Sequence, residues 1–173
     1  MPEFLKVNDV LEYLDLHDTM QVAEFGCGSA VFTVALAKHV PKGKVYGLDI
    51  QEEKLSALKG RITKEGLTNI TTVLCDLEAA NGSTLPENSL DIVLIPNVLF
   101  QAENKPAMMQ EAKRILKKGG QLLVVDWLKK TDFSPKEDLV VPEKIKKIAE
   151  DMQLSLKKEF AAGDYHYALL FTK

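Results

Sequence analysis

Apolar positions along this chain switch repeatedly between a helical and an extended period. Val7, Val10, Leu11 and Leu14 recur at i, i+3, i+4 and i+7, which predicts a short amphipathic helix beginning at Asn8 or Asp9. A first strand then closes at Val22-Ala23-Glu24-Phe25. Val31, Val34, Ala35 and Ala37 through Val40 read as a buried helix that Pro41-Lys42-Gly43 stops. Lys44 to Asp49 is a second strand. Gln51 to Glu65 is a helix with Leu55, Leu58 and Ile62 inward, and Gly66 ends it. Asn69 to Leu74 is a third strand, finishing on the polar pair Cys75-Asp76. After a polar loop, Leu90 to Ile95 is so uniformly apolar that it predicts a central parallel strand buried on both faces. Pro96-Asn97 ends it. A helix from Pro106 to Leu116 stops at Lys117-Lys118-Gly119-Gly120, and a fifth strand runs to Asp126-Trp127. An irregular stretch at 131–140, a helix from Pro142 to Met152, and strands at Leu154–Phe160 and Tyr165–Phe171 complete the chain. The turn Ala161-Ala162-Gly163-Asp164 is short enough to make that last pair antiparallel.

Composition narrows the picture. The 173 residues, 46% of them hydrophobic, suit one domain with a real core. A net charge of −3 and interspersed lysine pairs argue against bulk electrostatic binding of nucleic acid. No apolar run reaches the roughly 20 residues of a membrane span, and the first residues lack the plan of a signal peptide, so the expected location is cytoplasmic. Cys27 and Cys75 are too few for a disulfide framework. No His, Cys or carboxylate cluster has metal-ligand spacing, so no metal is called for.

The chemistry concentrates at Glu24-Phe25-Gly26-Cys27-Gly28, where a strand passes into a helix through two close glycines. Such turns let a nucleotide approach the backbone, and the helix start directs free N–H groups at it. Asp49 ends the second strand at close to the spacing, about 20 residues, at which an acid takes ribose hydroxyls. Asp76 follows the third strand, so three acids meet at one sheet edge; a turn or capping role is the competing explanation for Asp76. A dinucleotide motif needs a third glycine at 31, where Val31 stands, and a nicotinamide-linked oxidoreductase is correspondingly disfavoured.

Glu24, Gly26 and Gly28 instead match the (Asp/Glu)-x-Gly-x-Gly-x-Gly motif of class I S-adenosylmethionine-dependent methyltransferases, with Ala30 in the third glycine's place. The run Arg114-Ile115-Leu116-Lys117-Lys118-Gly119-Gly120 resembles that family's R-x-L-K-x-G-G turn. The resemblance covers the chain from about Val7 onward. It implies a single α/β domain, a doubly wound seven-stranded sheet in order 3-2-1-4-5-7-6 with strand 7 antiparallel and helices on both faces. Residues 1–18 would be a helical cover, with Phe4 and Leu5 over the methionine end of the cofactor or simply in the core. The implied cofactor is S-adenosyl-L-methionine, held by Glu24, Gly26, Cys27, Gly28, Asp49, Ile50, Asp76, Leu77 and Asn97. Ala30 would add a methyl group where the helix and cofactor pass closest.

Pro96-Asn97-Val98-Leu99-Phe100-Gln101 departs from the (Asn/Asp)-Pro-Pro-(Tyr/Phe) of amide and amine methyltransferases. It resembles the small-molecule branch, in which a helix follows directly and Gln101 faces the cleft. A small-molecule acceptor is therefore expected, the protein being a monomer or homodimer; a protein or RNA acceptor, or a cofactor-binding protein without catalysis, are the alternatives. An antiparallel seventh strand delivers its beginning to the cleft edge. His166 is accordingly a candidate base with a pKa near neutrality, beside Asn97 and Gln101 as acceptor-side residues.

Overall fold

The computed structural model describes residues 5–173; Phe4 lies outside them. The elements are α1 (Val7–Leu11), β1 (Gln21–Phe25), α2 (Val31–His39), β2 (Lys44–Asp49), α3 (Glu52–Glu65) and β3 (Ile70–Leu74). They continue with β4 (Leu90–Pro96), α4 (Lys105–Ile115), β5 (Leu116–Trp127), α5 (Pro142–Asp151), β6 (Ser155–Ala161) and β7 (His166–Thr172). The seven strands form one sheet in the order β3-β2-β1-β4-β5-β7-β6. Neighbours from β3 to β5 are parallel, and β7 runs antiparallel to both β5 and β6.

Alternation along the strands sorts side chains to two faces. Val22, Ile92, Leu94, Leu123, Val125, Ala168 and Leu170 pack under α1 and α2. Ala23, Val93, Ile95, Leu122, Val124, Tyr167 and Leu169 pack under α4 and α5. In β4, Ile92 through Ile95 are fully buried, each contributing about 1.5–3 kcal/mol of burial, which is why its sequence lacks polar alternation. At the amino edge the Gln21 N–H donates to the Asp91 carboxylate (2.8 Å), joining positions 70 residues apart. Sequence neighbours β1 and β2 lie on one side of the β1/β4 boundary and β5 on the other. The strand order reverses there, opening a crevice at the carboxyl ends.

Several local expectations are corrected. The first helix begins at Val7 and is one turn long; Lys6 is its N-cap and makes no side-chain cap bond. In α2 the inward residues are Phe32, Thr33, Val34, Leu36 and Ala37, whereas Val31 is 45% exposed at the cleft mouth. No helix follows β4 directly. Turns occupy 99–101, and α4 starts only where the Asn104 side chain caps the Ala107 N–H (3.0 Å), ahead of Pro106. Residues 117–120 are not a free helix stop. They loop out within β5, between the pairs Leu90↔Leu116 and Ile92↔Gln121, with Gly119 at φ 79.

Ala30 is the N-cap of α2 and adopts φ 63, the left-handed region. Its methyl group is buried with Cys27, Leu55 and Leu58 and does not line the cleft, so the glycine preference at this position is conformational. In Ala30→Gly, relief of the left-handed strain (about 1–2 kcal/mol) opposes loss of a buried methyl (about 0.8 kcal/mol) and greater unfolded-state entropy. Denaturant unfolding should therefore shift by less than about 1 kcal/mol in either direction; a larger loss would mean the methyl packing dominates.

Candidate functional site

A cavity of about 640 Å³ opens at the carboxyl ends of β1 to β4, within the range of small-molecule and cofactor sites. Every residue expected to hold the cofactor lines it: Glu24, Gly26, Cys27, Gly28, Asp49, Ile50, Asp76, Leu77 and Asn97. Gln101 lines it as well, and so does Leu5 from the cover segment.

The two glycines have different work. Gly26 (φ 71) donates to the Leu48 carbonyl (2.8 Å), and the Cys27 N–H shares that acceptor (2.9 Å). A Cβ on Gly26 would lie 2.3 Å from Cγ2 of Val98, so its missing side chain is filled by the turn after β4. At Gly28 (φ 37) a Cβ would meet nothing nearer than the Gly26 carbonyl at 3.7 Å. Gly28 is thus the position that leaves room beside the cleft.

Asp49 is buried and spends both oxygens on backbone: Oδ2 accepts the Gly28 N–H (3.1 Å) and Oδ1 the Gln51 N–H (3.0 Å). It joins the glycine turn to the start of α3, and each oxygen keeps a further lone pair. Ile50, 64% exposed, and buried Leu77 supply apolar surface on the same side. Asp76 lies beyond the end of β3, is exposed, and accepts the Glu78 N–H (2.9 Å); the turn role weighed for it is therefore present together with its place on the cleft wall.

Glu24 is buried and its carboxylate accepts the Thr33 hydroxyl from α2. Desolvation pushes its pKa up to about 8, the Thr33 bonds opposing this and the Asp49 charge adding to it. Burial likewise raises the Cys27 thiol to about 12 and Cys75 to about 11, leaving both inert as nucleophiles. Asn97 sits at φ 54, and its Oδ1 is buried in the cleft wall with no partner among the described residues. An acceptor buried without a partner costs about 1–3 kcal/mol.

His166 departs from its expected place. It pairs with Trp127 at the beginning of β7, as the topology required, but it is 3% exposed and does not line the cavity. Its ring tilts against Trp127 (4.2 Å between centroids), and neither nitrogen has a partner among the described residues. Burial lowers its pKa to about 4, so it is neutral at pH 7 and a weak base rather than one poised near neutrality. Two strand spacings, about 10 Å, separate it from β4.

Other residues have roles the sequence did not announce. Val98 fills the Gly26 gap, and Thr33 holds Glu24. Glu78 accepts the N–H groups of Glu103 (3.2 Å) and Asn104, tying the turn after β3 to the start of α4. Buried Asp126 accepts the Phe100 N–H (3.1 Å). A fourth acid at a strand's carboxyl end was the available signal for Asp126. Among the described residues no group of three or more His, Cys, Asp or Glu could hold a metal ion, and no helix is long and apolar enough to cross a membrane.

A sheet that reverses order over such a cleft is a doubly wound α/β domain, with its crevice where such folds bind ligands. The chain belongs to the methyltransferase domain family, whose model matches residues 16–166. It is 36% identical over 112 residues to the ubiquinone/menaquinone biosynthesis C-methyltransferase UbiE of Hydrogenovibrio crunogenus, covering 64% of this chain and 43% of that protein. It is 30% identical over 126 residues to the demethylmenaquinone methyltransferase of Geobacillus stearothermophilus, covering 72% and 53%. The chain thus spans about half the length of these relatives. The crystal structure of a SAM-dependent methyltransferase from Aquifex aeolicus superposes with a TM-score of 0.87 at 25% identity, over 96% of this chain and 89% of that one.

Two expectations follow from the geometry. Gly26→Ala should lower stability by about 2–4 kcal/mol through left-handed strain and the clash with Val98, read by chemical denaturation. Gly28→Ala should cost about 1 kcal/mol in stability and lose more in ligand affinity, because its new methyl enters open space beside the cleft. A third expectation concerns pH. Glu24 has a folded pKa raised above its ordinary value of 4.5, so the native state binds the extra proton; its contribution is present at low pH and is lost as pH rises toward and through about 8. Glu24→Gln should flatten the stability-versus-pH curve between about pH 5 and 8.5 and be the more stable form at the alkaline end; an unchanged slope would mean Glu24 is already ionised at neutral pH.

Proposed function

We propose that this domain transfers a methyl group from S-adenosyl-L-methionine to a small-molecule acceptor. The observation that carries the reading is the cleft: Glu24, Asp49 and the unpartnered Oδ1 of Asn97 converge on one cavity beside a glycine turn. In this reading Asp49 takes the ribose hydroxyls, Ile50 packs on the adenine face, and Asp76 with Leu77 reads the adenine edge. Glu24, ionising as a cation enters, and Asn97 Oδ1 face the amino-acid end. Gly26, Cys27 and Gly28 form the floor.

The bound cofactor would supply an activated methyl group on a sulfonium. The chain's part is binding, alignment of acceptor and donor in line, and exclusion of water. Leu5, Val7, Phe32 and Val98 make the acceptor side apolar, which suits a ring such as the quinones in the relatives' names better than a peptide or nucleic acid. Asn97 and Gln101 are the polar groups placed to orient the acceptor. His166, buried and neutral, is assigned no proton transfer. Cytoplasmic location and a monomer or homodimer remain part of the proposal.

The test is calorimetry with S-adenosylmethionine, S-adenosylhomocysteine and NAD. The first two should bind and NAD should not. Asp49→Ala should weaken S-adenosylhomocysteine by about 1.5–3 kcal/mol, and Asp49→Asn, which keeps one acceptor oxygen, by less. Labelled methyl donor offered with hydroxylated aromatic and quinol acceptors then tests transfer. Tight binding with no transfer to any acceptor would leave a cofactor-binding protein without catalysis.

A further inference from the structure

The turn carrying Asn97 and Gln101 has little support of its own. Its Gln101 N–H donates to the Val98 carbonyl (3.1 Å), and Asn97 holds a left-handed conformation that costs free energy unless neighbours impose it. The restraint comes from outside. Val98 is seated against Gly26, the Asn97 N–H donates to the Val125 carbonyl (2.7 Å), and the Phe100 N–H donates to the Asp126 carboxylate (3.1 Å). The other oxygen of that carboxylate takes the Trp127 N–H (2.8 Å).

Asp126 is fully buried at the end of β5 and lines no part of the cleft. Among the described residues no cation forms a salt bridge with it. The charged and titratable groups around it are Lys105 at the start of α4, whose ammonium donates to the Ala102 carbonyl (2.7 Å), and Tyr167, its partner in register on β7, whose hydroxyl donates to the Val140 carbonyl (2.9 Å). His166 is on the opposite face of the sheet, against Trp127. A buried carboxylate without a bonded cation is a poor packing element, because an apolar residue of similar volume would avoid its desolvation. What it provides instead is a charged acceptor that ties the turn after β4, through the Phe100 N–H, to the end of β5.

We infer that Asp126 is a positioning residue: its carboxylate holds the Phe100 backbone and so fixes Asn97 and Gln101 on the cleft wall, linking its own ionisation to cofactor affinity. The link to affinity rests on the cofactor reading above; the hold on the turn does not. Burial raises the pKa of Asp126 to about 6, which brings the loss of the charged acceptor into an accessible range.

The experiment compares wild type with Asp126→Asn, the isostere of the protonated acid, and uses two readouts. Calorimetry with S-adenosylhomocysteine across about pH 5 to 7.5 should show Asp126→Asn about tenfold weaker than wild type near pH 7.5, the difference closing as pH falls and Asp126 takes up its proton. Because Glu24 is common to both proteins, the ratio isolates Asp126. Amide hydrogen exchange should be about tenfold faster at Phe100 in Asp126→Asn at neutral pH, with Val93 unchanged. Fluorescence of Trp127, the only tryptophan, should titrate near pH 6 in wild type and not in the variant. A ratio that stays constant with pH, or exchange at Phe100 that ignores the substitution, overturns the inference. If wild type fails to bind S-adenosylhomocysteine while Phe100 exchange still follows Asp126, the cofactor reading falls and the hold on the turn stands.

Discussion

The cleft depends on the absence of one side chain. Because Gly26 has no Cβ, Val98 can seat itself against the backbone between β1 and α2, and the turn after β4 closes on the turn after β1. Neither turn is regular structure, and each contains a residue in the left-handed region, Gly26 at φ 71 and Asn97 at φ 54. Their contact converts two strained loops into one wall. Asp49 extends the same wall by binding the Gly28 and Gln51 N–H groups, so three successive strand ends are braced through backbone donors.

The acids of the molecule show which effect wins where. Glu111 is buried too, but the Arg114 guanidinium (2.7 Å) and Ser83 bond it, and its pKa is lowered despite desolvation. Glu24 has only Thr33 bonding it, and Asp126 only backbone N–H groups, with the Lys105 charge acting from a distance; in both, desolvation prevails and the pKa rises. One full opposite charge therefore separates a structural acid from two acids poised around the cleft. The Glu111–Arg114 pair pins the loop at 83–85, since Arg114 also donates to the Leu85 carbonyl (2.8 Å).

Most of the sheet was legible because strand polarity and burial leave a strong mark. Leu90 to Ile95 reads as central, and the short turn at 161–164 forces β7 to reverse. The cofactor-side residues were legible for a related reason: a strand end at the carboxyl edge is a fixed address, so Glu24 and Asp49 are located once the strands are. What the sequence concealed depends on contacts between distant segments. Nothing around Val98 marks it as the partner of Gly26, and periodicity in α2 cannot tell that Val31 turns outward while Thr33 faces Glu24. His166 shows the limit of topology alone, which placed its backbone correctly beside Trp127 but could not reveal that its ring is buried, unpartnered and neutral.

The adjacency of β1 and β4 also has a kinetic meaning. The bond from Gln21 to Asp91 closes a loop of 70 residues, and the seating of Val98 against Gly26 spans a similar length. Closing such a loop is entropically unfavourable until the long-range pairing is made, so joining β1 to β4 carries a cost that the local helix–strand contacts do not. Segments up to α3 can collapse earlier around local helix–strand contacts, yet they contain only half a binding cleft. Ligand recognition is therefore a property of the completed sheet, and a bound ligand acts as a clamp on the global transition rather than on any fragment of it.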